Sequence, residues 1–144
     1  MRALLLCFVV FAVACTESEE KLKDGDRSKL VHMVELDQRV SKAMGEADDL
    51  VMKGDAKGAL ERIEKNVKPS VAENDRLCTQ EMASAWGKTK KEAVCSIVRS
   101  RKSELPRYEE AVKADDKGKL AEALVAQAEI EKRALAMVAA FEQR

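Results

Sequence analysis

The sequence has no surplus of charge, almost no aromatic residues and a single histidine. Its 26 basic and 26 acidic side chains cancel, whereas a dedicated nucleic-acid binder carries a net positive field. Aromatics are 3% of the residues. Phe8 and Phe11 fall in the apolar N-terminus, leaving Trp86, Tyr108 and Phe141 for the body of the chain. That is too few for a platform that stacks bases or sugars. One histidine and four cysteines, none of them spaced as a zinc or haem motif, leave no metal or cofactor site. The Gly-x-Ser-x-Gly turn, the phosphate loop and the calcium loop are all missing. No apolar run reaches the roughly 20 residues of a membrane-spanning helix. What remains is rich in Ala, Leu, Glu, Lys and Met, the residues that favour helices, in a chain of 144 residues, the size of one domain.

The exception to this blandness is the N-terminus. Met1-Arg2 is a short positive start, Ala3 to Val13 is continuously apolar, and Ala12-Val13-Ala14-Cys15 is followed at once by the polar Thr16-Glu17-Ser18-Glu19-Glu20. This order matches an export signal. Ala12-Val13-Ala14 reads as an ordinary signal-peptidase site, which would release a soluble protein. With Cys15 it resembles the lipobox of bacterial lipoproteins, in which a small residue precedes the lipidated cysteine; the family prefers Leu where this chain has Ala12. The resemblance implies that residues 1–14 are removed and that the Cys15 thiol forms a thioether to diacylglycerol, an attachment made permanent by several acyl chains. It further implies a partner, the membrane itself, and a cell-envelope location. Thr16 is not the Asp that retains such proteins at the inner membrane, which points to the periplasmic face of the outer one.

In an exported chain Cys78 and Cys95 are an even pair, and a disulfide is the default; two buried free thiols are the alternative. The bridge would require a chain reversal, because 17 residues of straight helix would hold the two Cα atoms about 25 Å apart. Gly87 sits near the midpoint, and Thr89-Lys90-Lys91-Glu92 resembles a capping box. Trp86, beside this turn, is either a core plug or an exposed anchor.

After a polar tether over residues 15–27, the glycines Gly54, Gly87 and Gly118 divide residues 28–144 into four arms. The first carries a seam at Met33, Leu36, Val40, Ala43, Ala47 and Leu50, alternating in steps of three and four. Met44 widens it. The second has Ala56, Ala59, Leu60, Ile63 and Val67, then Pro69, with Ser70-Val71-Ala72-Glu73 as the cap of a restart. The third has Val94, Val98, Leu105, Tyr108 and Val112, with Pro106 as a kink or break and Ser103 as a cap beyond it. The fourth has Leu120, Leu124, Ala128, Leu135, Val138 and Phe141. The expected fold is all-α, a kinked antiparallel up-down four-helix bundle. Residues 53–60 and 117–124 resemble the inter-helix turn of tetratricopeptide repeats, so a stack of such hairpins is the alternative architecture, although the full repeat period is absent.

Candidate chemistry is sparse. His32 and Glu35 are one turn apart but form no di-iron motif. Met33, Met44 and Met52 read as packing. The acid pairs Asp48-Asp49, Glu109-Glu110 and Asp115-Asp116 point about 100° apart on a helix and do not converge as catalytic carboxylates must. Lys88, Lys90, Lys91, Arg99, Arg101 and Lys102, against Glu92 alone, form a basic segment able to meet anionic lipid, envelope polymer or an acidic protein. The expected function is non-enzymatic, a helical interaction or scaffold module on a bacterial membrane. The alternatives are a carrier with a ligand or ion inside the bundle, under-packed at Ala43, Ala47 and Ala128, and an inhibitor or adaptor acting through Trp86.

Overall fold

The computed structural model describes the backbone of residues 3–142 and the side chains of residues 18–141. Within them the chain is helices joined by short turns, with no strand, in four arms running up, down, up and down. The side chain of Cys15 and the signal-segment side chains lie outside the described residues.

Helix α1 (Ala3–Met52) is 50 residues long, about 75 Å at 1.5 Å per residue. Its seam is the one read from the sequence. Met33, Leu36, Val40, Ala43, Met44 and Ala47 are all buried, and Leu50 is partly so. It ends where Gly54 takes φ +80°. The Gly54 amide donates to the Val51 carbonyl and the Asp55 amide to that of Leu50, the paired bonds of a glycine-terminated helix. Asp55 then accepts from the Gly58 amide at 2.8 Å and starts α2 (Ala56–Arg62).

The second arm continues through a π-helical turn (Ile63–Val67) into α3 (Lys68–Cys78). The buried residues Ala59, Ile63, Val67 and Val71 are each four apart. At 3.6 residues per turn, three such steps would rotate the apolar stripe by about 120°. The wider π turn keeps the stripe facing the core. It also accommodates Pro69, which interrupts nothing. The proline falls in the first turn of α3, where a missing N–H costs least, and Ser70 caps no restart.

Residues 79–84 reverse the chain into α4 (Ala85–Ala114). Here the expected turn is displaced. Gly87 is a buried residue inside α4, not a turn, and Ser84 is the cap, its Oγ accepting from the Gly87 amide at 2.8 Å. The Thr89 hydroxyl donates to the Ala85 carbonyl instead of capping. Pro106 lies within α4 without breaking it, and the Ser103 hydroxyl bonds back to Ser100. The helix stops at Asp115, in the left-handed region at φ 50°. Asp116 Oδ1 accepts from the Gly118 and Lys119 amides and starts α5 (Lys117–Glu142); Gly118 is therefore helical as well.

Two large apolar clusters fill the core. One joins Val40, Ala43, Ala47, Ile63, Val67, Leu105, Tyr108 and Val112. The other joins Leu30, Met33, Leu36, Leu77, Val94, Val98 and Met137. Helix α5 lies mainly along α4 and touches α1 little. Its fully buried line is Ala123, Gln127, Ile130, Ala134 and Met137; of the expected line, Leu120, Leu124, Val138 and Phe141 pack half-buried beside it, while Ala128 is exposed and Leu135 is 70% exposed. The stretch expected as a tether also differs. From Ser18 to Arg27 it is part of α1, and Asp26 is 2% exposed.

Candidate functional site

The basic segment does not survive folding as one surface. Arg101 is turned inward, 3% exposed. Its Nε and Nη2 form a two-pronged pair with Asp37 at 2.7 and 3.1 Å, Nη2 also reaches Ser41 Oγ at 2.8 Å, and Nη1 reaches Glu131 at 2.7 Å. Burial alone would lower the guanidinium pKa, but Asp37 and Glu131 more than offset it and hold it above the ordinary value. Arg99 pairs with Glu92, and Lys102 with Asp75 at 2.6 Å. Lys91 donates to the Gln80 carbonyl at 2.7 Å, and Lys90 to that of Ala140 at 2.9 Å. Lys88 is exposed. The segment divides between structural pairing and a small remnant at the start of α4.

That start of α4 is where three elements are joined. The Asp26 carboxylate of α1 accepts from the Ala83 amide at 3.0 Å, the Ser84 amide at 2.8 Å and the Ser84 hydroxyl at 2.7 Å. Burial works to raise its pKa; the Ser84 and Ala83 amides, the Ser84 hydroxyl and nearby Lys29 outweigh burial and hold it below 3.8. Gly87 is required here, since a Cβ at that position would stand 2.2 Å from Asp26 Oδ2. Cys78 and Cys95 meet as expected, joined with Cα atoms 5.7 Å apart, and clamp α3 to α4 across residues 79–84. Trp86 is half-buried, edge-on to Phe141 with centroids 6.0 Å apart, while Arg27 lies over its ring and Lys90 over that of Phe141. It is a partly covered plug sealing this end of the bundle.

At the other end, the buried Tyr108 hydroxyl donates to Asp48 at 2.6 Å. Burial and this bond push the tyrosine pKa upward. Burial also raises that of Asp48, assisted by Asp49 and Glu131 and opposed by the Tyr108 bond. Asn74, on α3, donates to the Met33 carbonyl at 2.8 Å. Asp26, Asp37, Asn74, Ser84 and Gln127 are the polar core residues that sequence reasoning passed over.

His32 pairs with Glu73 at 3.1 Å, both exposed. Among the described residues no group of three His, Cys, Asp or Glu could hold a metal ion, and no helix is long and apolar enough to cross a membrane. The void lined by Val40, Met44, Val67, Val71, Arg101, Leu105 and Gln127 is too small for a water molecule. Ala43 and Ala47 are packed and Ala128 is on the surface, so the positions nominated for a ligand chamber enclose none. Outside the core, an open groove between α3 and α4 is floored by Val71, Ala72, Leu105 and Pro106.

No protein-family model, curated protein or solved structure matches this chain.

Proposed function

We propose that the protein is a lipid-anchored envelope module that binds other macromolecules through its helical surface and catalyses no reaction. The observation that carries the reading is the apolar run ending in Ala12-Val13-Ala14-Cys15, placed at the start of the same helix that builds the bundle. Asp26 fixes that helix to the rest of the fold only 11 residues beyond Cys15, about 16 Å along the axis. The lipid would therefore hold the bundle on a short helical stalk at a set height and orientation above the bilayer. A signal peptide, removal of residues 1–14, acylation of Cys15 and residence at the periplasmic face of the outer membrane all belong to this proposal. Packed voids and internally neutralised charges support surface binding over a carrier role.

The test is a detergent phase separation of the expressed full chain, with intact mass measured on the product. The expected result is recovery in the detergent phase, a mass beginning at Cys15 plus its acyl groups, and loss of both in Cys15→Ser. A polypeptide that stays aqueous, or keeps Met1, refutes the proposal.

A further inference from the structure

Helix α5 is apolar on two faces, and only one of them is covered. The covered line is Ala123, Gln127, Ile130, Ala134 and Met137, all buried. The second line is Ala121, Val125, Ala128, Lys132, Leu135 and Ala139, again alternating in steps of four and three, and every member is exposed. Val125 and Leu135, at 71% and 70%, are the most exposed large apolar residues of the helical body after Met52.

We propose that this outer line is the contact between two copies of the chain, their α5 helices packed antiparallel across a two-fold axis near Ile130. The spacing reads the same in both directions, so the line can face a copy of itself in that register. Ala121 falls opposite the partner's Ala139, Val125 opposite the partner's Leu135, and Ala128 opposite the partner's Lys132. The alanines let the axes approach closely. Lys132 is then one residue from the level of the partner's Glu129, and symmetry repeats the pair, as an isologous contact requires. Both side chains are exposed and neither has an ion-pair partner among the described residues.

The seam covers roughly 300 Å² on each copy, from about 27 Å of helix by about 10 Å, against about 800 Å² per partner in a standard interface. The pair is accordingly weak and reversible. Antiparallel α5 helices set the two copies' α1 N-termini at opposite ends of the pair, so anchoring in one bilayer does not assist it, and the contact does not rest on the lipid-anchor reading.

Sedimentation of the full chain in non-ionic detergent, from dilute to near-millimolar protein, tests the contact. The expected result is a concentration-dependent monomer–dimer equilibrium. Val125→Glu/Leu135→Glu should remove it with circular dichroism and Tm unchanged, since both positions face solvent. Lys132→Glu alone should weaken it about tenfold through two lost ion pairs, and Lys132→Glu/Glu129→Lys should restore it. A monomer at every concentration overturns the proposal. So does a dimer indifferent to the Val125/Leu135 variant, a charge swap without rescue, or binding of α5 to anionic vesicles by a chain that never self-associates. None of these results depends on whether Cys15 carries lipid, which the mass measurement decides separately.

Discussion

The Asp26 carboxylate fills the space that a side chain at position 87 would need, and only a glycine there leaves it room. Gly87→Ala would drive a methyl group into a carboxylate held by three hydrogen bonds, so the variant should lose about 1–3 kcal/mol. Gly45 lies in α1 with open space around it, and Gly45→Ala should gain up to about 1 kcal/mol from helix propensity. Urea denaturation of the two variants side by side tests whether the close approach matters, since a loss of equal size in both would contradict it. The two shifted aspartates act in opposite senses with pH. Asp26 titrates below 3.8 in the folded chain. Its contribution is full above the unfolded value and is lost as pH falls through the lower folded one. Asp48 titrates above 3.8, so its ionised form works against the fold and its penalty vanishes on acidification. Asp26→Asn should therefore destabilise at neutral pH by about 1–3 kcal/mol, with the gap to wild type closing below about pH 4. Asp48→Asn should be neutral or stabilising at pH 7, because asparagine still accepts from Tyr108 without a buried charge. Stability curves over pH that moved in parallel for the two variants would contradict this assignment. Arg101 is costly to truncate. Arg101→Ala strands Asp37, 2% exposed, and breaking such a buried pair costs about 3–5 kcal/mol. Arg101→Met/Asp37→Leu removes both charges and should recover most of that loss in thermal melts.

At the scale of the helices, the seams of α1 and α4 were legible because apolar spacing repeats every three and four residues. The same spacing held information that a search for apolar residues skips. Arg101 falls in the line Val94, Val98, Leu105, Tyr108 and Val112; Asn74 follows Val67 and Val71; Gln127 lies between Ala123 and Ile130. Polar residues in such lines set which levels of two helices meet, and here they do so. Arg101 aligns with Asp37 and Ser41, and Asn74 with Met33. The error on α5 has the same root. Its outer line also carries Val125 and Leu135, so apolar spacing alone took in Ala128 and Leu135, which face solvent, along with Leu120, Leu124, Val138 and Phe141, which pack half-buried against the core. Gly87 and Gly118 were misplaced because a glycine near a helix start serves close approach, or nothing, as readily as it serves a turn; the displaced caps were Ser84 and Asp116, short polar residues two or three positions earlier. Asp26 lay in a polar stretch with no local sign that α1 reaches that far. The prolines were overrated as breakers. Pro106 is exposed within an unbroken α4, where its missing N–H and its ring still cost the helix. Pro106→Ala should raise stability by about 1–3 kcal/mol, measured by guanidinium unfolding, and a lower midpoint would mean that the ring's packing in the α3–α4 groove outweighs the restored backbone bond.

Across the whole molecule, the restraints are distributed unevenly between the two ends. At one end the disulfide joins α3 to α4, Asp26 joins α1 to residues 83 and 84, and Trp86 meets Phe141 of α5. At the other, the arms are held by the short connections around Gly54 and Asp115 and by Tyr108 on Asp48. The disulfide therefore governs more than the loop it closes. It fixes the backbone amides that receive Asp26, and with them the direction in which the N-terminal part of α1 leaves the bundle. Closing a loop with a sequence separation of 17 contributes about 3 kcal/mol. Cys78→Ser should lower Tm without reductant and leave it equal to that of the reduced wild type. Hydrogen exchange tests the finer claim. On reduction, the amides of Ala83, Ser84 and Gly87 should lose protection first, while those of Ala111 and Val112, beyond the Tyr108 anchor, keep theirs until the chain unfolds as a whole. Uniform loss of protection along α4 would mean instead that the bundle opens as a single unit, and that the Asp26 joint draws no separate support from the bridge beside it.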